Sequence, residues 1–159
     1  MKMKIGKHLL RAVLGSALVA NGTPLLAQTV TLSECDWQSS AQNLPEPWEA
    51  HTRSFANGNV RLALLDTIEP AVGWAWLMVL SPPEQDWGGR QCRLLGLESA
   101  GFAGMDFSSL TAEYDPAIGL MFSVNVQWYD FALGQARPAS LWFSLNQSTG
   151  EINPQLQTD

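Results

Sequence analysis

The chain has 159 residues, of which nine are basic and 15 acidic, and its formal net charge is −6 at pH 7. This length suggests one domain. The acidic balance argues against binding to nucleic acid or to an anionic membrane surface, because both carry negative charge.

Residues 1–27 have the layout of a secretory signal peptide. Basic side chains come first, the apolar run Ala12–Ala20 follows, and the small residue Ala27 ends the segment. The run is too short to span a bilayer, which takes about 20 apolar residues. We therefore predict an exported protein, periplasmic or secreted, that is cleaved after Ala27 and has no membrane span in the mature chain. Cleavage after Ala20 and an uncleaved amphipathic helix are the alternatives.

Cleavage would change the charge of the protein further. It would remove every lysine and leave five arginines and 15 acidic residues, a formal charge of −10. Such a chain repels phosphate, so we predict no nucleic-acid partner. The excess charge is explained most simply as keeping an exported protein soluble.

The two cysteines of the chain, Cys35 and Cys92, are predicted to form a disulfide bond. An isolated pair in a small exported domain is typical of a structural bridge. The pair lies 57 residues apart and does not form a Cys-x-x-Cys motif, so the sequence indicates no redox role. Two buried free thiols are the alternative.

The first half of the mature chain predicts strands separated by turns. A short strand is expected near residues 29–32, followed by irregular chain to residue 47. Asn57-Gly58 separates two alternating runs, at residues 48–55 and 60–65, and this dipeptide is typical of a two-residue hairpin turn.

Residues 72–80 are apolar on both faces, which favours a central strand over the alternative of a short buried helix. Trp74 and Trp76 are therefore expected in the core. Residues 81–89 contain Pro-Pro and Gly-Gly and predict a loop, and residues 90–97 predict the next strand.

The last third alternates most clearly. Strands are predicted at residues 108–114, 120–129 and 139–146, with a possible short strand at 151–153, and Asp115–Gly119 is a predicted turn. If the numbers of paired residues in the strands at 120–129 and 139–146 sum to about 267, Asn125 lies opposite Trp142. The whole pattern predicts an all-β fold for a single domain, residues 28–159: an antiparallel β-sandwich or partly open barrel of about seven to eight strands.

Catalytic and metal chemistry have little support in the sequence. His51 is the one histidine after residue 27, and no Gly-x-Ser-x-Gly elbow is present. One histidine with two bridged cysteines cannot hold zinc, and the acidic residues show no calcium-loop spacing. We predict no cofactor, no metal site and no catalytic residue. A small secreted hydrolase that uses acidic residues near His51 is the alternative function.

One predicted sheet face suggests binding instead. Ser123, Asn125 and Gln127 are expected to lie beside Trp142, on a face with one acid, Glu113, and no base. Neutral amides and hydroxyls around an indole suit a sugar. Trp87, in the loop at residues 81–89, is a second candidate and could anchor a protein partner. The favoured hypothesis is thus a non-enzymatic exported domain that binds a glycan or an envelope protein.

These binding hypotheses have structural alternatives. The polar face could be an ordinary solvated surface, or residues 28–47 could cover it. Trp87 could fold back into the core. The protein could also be a structural component of the envelope with no small ligand.

Overall fold

The structure is a computed structural model, and it describes residues 28–158. The predicted signal peptide and both cleavage positions lie outside the described residues, as does Asp159. No helix among residues 28–158 is long and apolar enough to cross a membrane.

The described part of the chain is built from nine strands and four single-turn 3₁₀ helices. The strands are β1 Val30–Glu34, β2 Thr52–Phe55, β3 Val60–Asp66, β4 Ala75–Glu84, β5 Arg90–Leu97, β6 Gly104–Asp115, β7 Gly119–Asp130, β8 Gln135–Leu145 and β9 Ile152–Thr158. The 3₁₀ turns are Trp37–Ser39, Ala41–Asn43, Trp48–Ala50 and Ala56–Gly58. The count exceeds the predicted seven to eight because the strand given only as possible at residues 151–153 also forms, as β9.

The strands make two antiparallel sheets that pack as a sandwich, which confirms the predicted fold class. Sheet A has the order β1-β5-β4-β3-β2 and sheet B the order β6-β7-β8-β9. One apolar cluster joins residues of both sheets, because the inner positions of each strand recur with the period of two that a pleated strand imposes.

Aromatic packing lies at the centre of this core. The ring of Phe122 stacks on that of Phe143 at a centroid distance of 4.8 Å and meets that of Phe55 edge-on at 5.1 Å. Phe55 comes from sheet A and the other two rings from sheet B, so this trio joins the sheets. Burial of a side chain of this size stabilises the fold by about 1.5–3 kcal/mol.

Strand β4 is covered on both faces, as its apolar run predicts, and the helix alternative is wrong. Leu77 and Val79 face the main core. Trp76 and Met78 face a smaller cluster on the outer side of sheet A, against which Cys35 and other residues of the N-terminal segment pack. Trp74 precedes the strand and is half-buried against the main core.

The predicted disulfide bond between Cys35 and Cys92 is present, with Cα atoms 5.4 Å apart. It holds the chain that follows β1 against β5 on the outer side of sheet A. The free-thiol alternative is therefore wrong.

The hairpin at Asn57-Gly58 forms, but its predicted two-residue turn is wrong. Phe55 pairs with Val60, so the loop has four residues. Ala56, Asn57 and Gly58 all have positive φ (50°, 56° and 86°), and the amide of Asn59 donates to the carbonyl oxygen of Ala56 over 3.1 Å. This hydrogen bond closes a wider turn than the tight I′ turn.

The first arm of this hairpin is also shorter than predicted. Trp48–Ala50 form a 3₁₀ turn, in which the amide of Ala50 donates to the carbonyl oxygen of Pro47 over 3.0 Å. Only Thr52–Phe55 pair with β3.

The predicted loop at residues 81–89 is wrong over its first half. Strand β4 continues to Glu84, and the ladder to β5 is interrupted by a bulge between Ser81 and Glu84. Pro82 and Pro83 lie within this bulge, where a residue without an N–H breaks no ladder bond. The loop itself is Gln85–Gly89.

Three later strands are longer than predicted because they include a bulge or a proline. Strand β6 starts at Gly104 and contains a bulge between Asp106 and Thr111. Strand β8 includes Pro138, which comes just before Ala139, the first residue of β8 that pairs with β9. Strand β9 includes Pro154 because it is an edge strand, where proline is tolerated.

Candidate functional site: a polar face with a tryptophan

The outward side chains of sheet B form a mostly uncharged polar surface around one indole, which we call the polar face. Two carboxylates, Asp106 and Glu113, lie at its β6 edge, opposite Asn125 and Met121. Its uncharged polar members and the indole are Thr111 on β6, Ser123, Asn125 and Gln127 on β7, Ser140, Trp142 and Ser144 on β8, and Asn153, Gln155 and Gln157 on β9. Alternation within each strand places these residues opposite the buried ones, so the sequence pattern itself creates the face.

Trp142 lies in the middle of this face. It pairs with Ser123 on one side and with Gln155 on the other, and Ser123 pairs in turn with Thr111. These four residues form one row across all four strands, roughly 14 Å wide at the usual strand spacing. The side chain of Trp142 is 49% exposed, so its ring is available to a ligand.

The predicted pairing of Asn125 with Trp142 is wrong by two residues. Asn125 lies opposite Ser140, because the β7–β8 connection is the four-residue loop Phe131–Gly134. The carboxylate of Asp130 stabilises this short loop by accepting hydrogen bonds from its backbone amides at 3.0 and 3.1 Å. A slip of two residues preserves the face on which each side chain lies, so the predicted group still forms.

The side chains of the polar face have unused hydrogen-bonding capacity. Within residues 28–158, those of Ser123, Asn125 and Gln127 make no hydrogen bond to another protein group, as their exposure allows. Each amide can donate two hydrogen bonds and accept two. Asn153 differs, since its amide donates to Glu151 over 3.2 Å.

Ser109 shows how nearby polar groups serve the fold instead. Its hydroxyl accepts a hydrogen bond from the backbone amide of Asn125 at 2.8 Å and donates to the carbonyl oxygen of Asp106 at 2.6 Å. It thereby bridges the bulge of β6, where direct pairing with β7 fails.

The N-terminal segment does not cover the polar face, so that alternative is wrong. Cys35 and Leu44 pack against Leu65, Trp76 and Leu94, which belong to sheet A. The segment therefore lies on the other side of the sandwich.

Strand β9 contributes three members of the face that the sequence reading missed. Asn153, Gln155 and Gln157 alternate with Ile152, Pro154 and Leu156, and the last of these packs against the main core. The alternation was the available signal, but Pro154 interrupts it and argues against a strand unless the strand is known to be an edge.

Trp87 is exposed and lies far from the polar face in the fold. Its side chain is 78% exposed, so the predicted alternative of a core plug is wrong. Its ring lies directly over Gly89, where an added Cβ would come within 1.8 Å of the indole. It lines a cleft of about 580 Å³ together with Cys35 and Cys92 of sheet A. Trp87 and Trp142 thus lie on opposite sides of the sandwich.

His51 has a local structural role. Its Nδ1 lies 3.0 Å from the carbonyl oxygen of Pro47 and 3.2 Å from that of Pro45, so Nδ1–H donates to both. No carboxylate or hydroxyl group among residues 28–158 hydrogen-bonds to the ring, and this part of the chain has no cluster of three His, Cys, Asp or Glu side chains suited to a metal. The geometry therefore adds no support for the hydrolase alternative.

Comparison with known proteins assigns no family. The chain matches no protein-family model, and no curated protein and no solved structure is significantly similar to it. The polar face and the cleft beside Trp87 are therefore the features of the molecule from which a function is inferred.

Proposed function

We propose that this protein is an exported, non-enzymatic binding domain whose polar face holds an uncharged glycan. The observation that carries the proposal is the row Thr111–Ser123–Trp142–Gln155, which runs across sheet B without a charged side chain. Solvent-facing sheet positions usually include lysine, arginine and glutamate, and their absence from this row favours a neutral ligand. The two carboxylates of the face, Asp106 and Glu113, lie in the flanking rows at the β6 edge.

The chemistry of the row suits a polyol. A flat indole offers an apolar surface to the C–H face of a pyranose ring, while hydroxyl and amide groups on either side donate to and accept from the sugar hydroxyls. A neutral sugar gains little from a charged site, because a charged group would lose its own hydration without receiving a counter-charge. The amides of Asn125, Gln127 and Gln157 extend the same chemistry beside the row.

Export is the second part of the proposal. The Cys35–Cys92 bond supports it, because disulfides persist in oxidising compartments. The layout of residues 1–27 points the same way, with cleavage after Ala27 and a periplasmic or secreted product. Such a location would bring the domain into contact with envelope or extracellular glycans.

The test is a calorimetric titration of the full chain, with its disulfide intact, against a panel of neutral linear oligosaccharides. We expect binding that Trp142→Ala weakens at least tenfold, since stacking on a central aromatic supplies much of the contact. Trp48→Ala is the matched control, because Trp48 is similarly exposed (56%) and lies outside the polar face. Absence of binding across the panel, or equal losses in the two variants, would exclude this function.

A further inference from the structure

The cleft beside Trp87 gathers most of the positive charge of the folded domain. Three of the five arginines in residues 28–158 line it, Arg61, Arg90 and Arg93, together with one carboxylate, that of Glu34. The same residues 28–158 carry 14 acidic side chains, so the cleft is a positive site on a strongly negative surface. A field of this kind concentrates anions at the cleft and repels them elsewhere.

Two of these arginines point to the outer face of sheet A. Arg61 pairs with Leu80 and Leu80 pairs with Cys92, so the three form one cross-strand row. Arg90 lies two residues before Cys92 on β5 and therefore shares its face. The Cα atoms of Arg61 and Arg90 are roughly 12 Å apart at ordinary strand spacings. Two extended arginine side chains are long enough for both guanidinium groups to contact one ligand across this separation.

Arg61 and Arg90 are also uncommitted. The third arginine, Arg93, donates to the carboxylate of Glu34 over 3.2 Å, and this is the one ion pair formed within residues 28–158. Glu84 is the cross-strand neighbour of Arg90 but lies beyond the 4.0 Å limit of an ion pair. The two guanidinium groups are therefore ready to bind an external carboxylate, for which their planar donor fork is suited.

Trp87 supplies a flat surface at the edge of the same cleft. Its ring lies against Gly89, which has no side chain to push it away, and the rest of the ring is open to solvent. The open face of the ring is therefore available to stack on a ligand.

We propose that this cleft binds a carboxylate-bearing sugar unit of an acidic polysaccharide, such as a uronate. Arg61 and Arg90 would hold the carboxylate and Trp87 would stack on the sugar ring. The volume of about 580 Å³ lies within the roughly 300–1,000 Å³ of small-ligand sites and can accommodate a sugar unit. The site is independent of the polar face, which lies on the other sheet and carries no arginine.

The experiment is a calorimetric titration of the disulfide-intact full chain with tri-galacturonate, and with a neutral galactose trisaccharide as the uncharged probe. We expect the cleft to bind the acidic probe, and Arg61→Gln and Arg90→Gln each to weaken that binding about tenfold. Arg137→Gln is the matched control, because it removes the same charge from sheet B and should change affinity less than about twofold.

Two further variants separate this site from the polar face. Gly89→Ala should displace the Trp87 ring and weaken tri-galacturonate binding, whereas Trp142→Ala should leave it unchanged. The proposal is overturned if tri-galacturonate does not bind, or if Arg137→Gln is as damaging as Arg61→Gln. Hexaglutamate is the third probe. If it binds through Arg61 and Arg90 while tri-galacturonate does not, the cleft recognises acidic peptides and the sugar assignment is wrong.

Discussion

Ser123 lies directly opposite Trp142 on the outer face of sheet B, so a small hydroxyl side chain borders the exposed indole. A larger side chain at position 123 would cover the ring, because opposed residues on neighbouring strands have Cβ atoms about 4.5–5.5 Å apart. Gln155 borders the ring from the other side. The pairing leaves Trp142 open from above and flanked by hydrogen-bonding groups.

The first prediction concerns ionic strength. Binding of a neutral oligosaccharide to the polar face should change little between low and high NaCl, because Ser123, Asn125 and Trp142 carry no charge to be screened. Binding of tri-galacturonate to the cleft should weaken several-fold over the same range. Parallel titrations at about 0.02 M and about 0.5 M NaCl measure both. A strong salt dependence of neutral-sugar binding would show that charged groups take part and that the uncharged row around Trp142 is not the site.

The second prediction compares two glycines with positive φ. Gly150 (φ 77°) packs against β4 and β5, and an added Cβ would lie 2.6 Å from Cδ of Pro83 and 2.8 Å from Oε1 of Gln91. Gly134 (φ 65°) has nothing within 4 Å of that position. Gly134→Ala should lower the free energy of unfolding by about 1 kcal/mol through backbone strain. Gly150→Ala should lower the free energy of unfolding by about 1–3 kcal/mol more than this, because it also crowds the contact between the sheets.

Urea unfolding of the two alanine variants measures this difference. The Gly150 contact also includes a hydrogen bond, since Nε2 of buried Gln91 donates to the carbonyl oxygen of Gly150 at 2.8 Å. Equal destabilisation of the two variants would show that the turn at residues 146–150 does not pack tightly against sheet A.

The third prediction concerns the disulfide bond. Replacing both Cys35 and Cys92 by serine should lower the free energy of unfolding by about 2–4 kcal/mol, because the bond closes a long loop and restricts the unfolded chain. The bond also holds the segment that covers Trp76. Urea unfolding with and without reductant measures the effect, and the double serine variant should not respond to reductant. A wild-type stability that reductant leaves unchanged would contradict the prediction.

The fourth prediction concerns His51. His51→Ala removes the donor to the carbonyl oxygens of Pro45 and Pro47 and should lower the free energy of unfolding by about 1 kcal/mol. Oligosaccharide binding should be unchanged, since these contacts lie outside the polar face. Thermal unfolding and titration measure the two effects. A His51→Ala protein that keeps its stability but loses its function would instead support the hydrolase alternative.

Much of the fold could be predicted because its signals are local. The alternation of residues 120–129 determines which side chains of β7 are buried, and the spacing of two along a strand holds whatever the strand pairs with. The turn at Asp115–Gly119 was predictable for the same reason. The carboxylate of Asp115 accepts from the amide of Ala117 at 2.7 Å, and Gly119 takes a φ of 114°.

Strand pairing was less predictable, because it depends on loops and bulges. The four-residue loops at residues 56–59 and 131–134 fix the registers of two hairpins, and neither length followed from the turn residues alone. Pro82 and Pro83 were assigned to a loop, and the predicted strands stopped short of Pro138 and Pro154. All four prolines nevertheless lie within strands, in a bulge, beyond the segment paired with β9 or on an edge strand. Whether a proline is tolerated depends on the neighbouring strand, which is distant in sequence.

The sequence by itself determined the all-β class, the disulfide pair and the grouping of Ser123, Asn125 and Gln127 on one face with Trp142, because these follow from composition and a period of two. Only the tertiary structure decided that the N-terminal segment covers sheet A and leaves the polar face open. It alone brought Arg61 to the same cleft as Trp87 and Arg90. Such groupings arise from the order and stacking of strands, in which residues 26 or more positions apart, such as Arg61 and Trp87, become neighbours through contacts that no local pattern encodes.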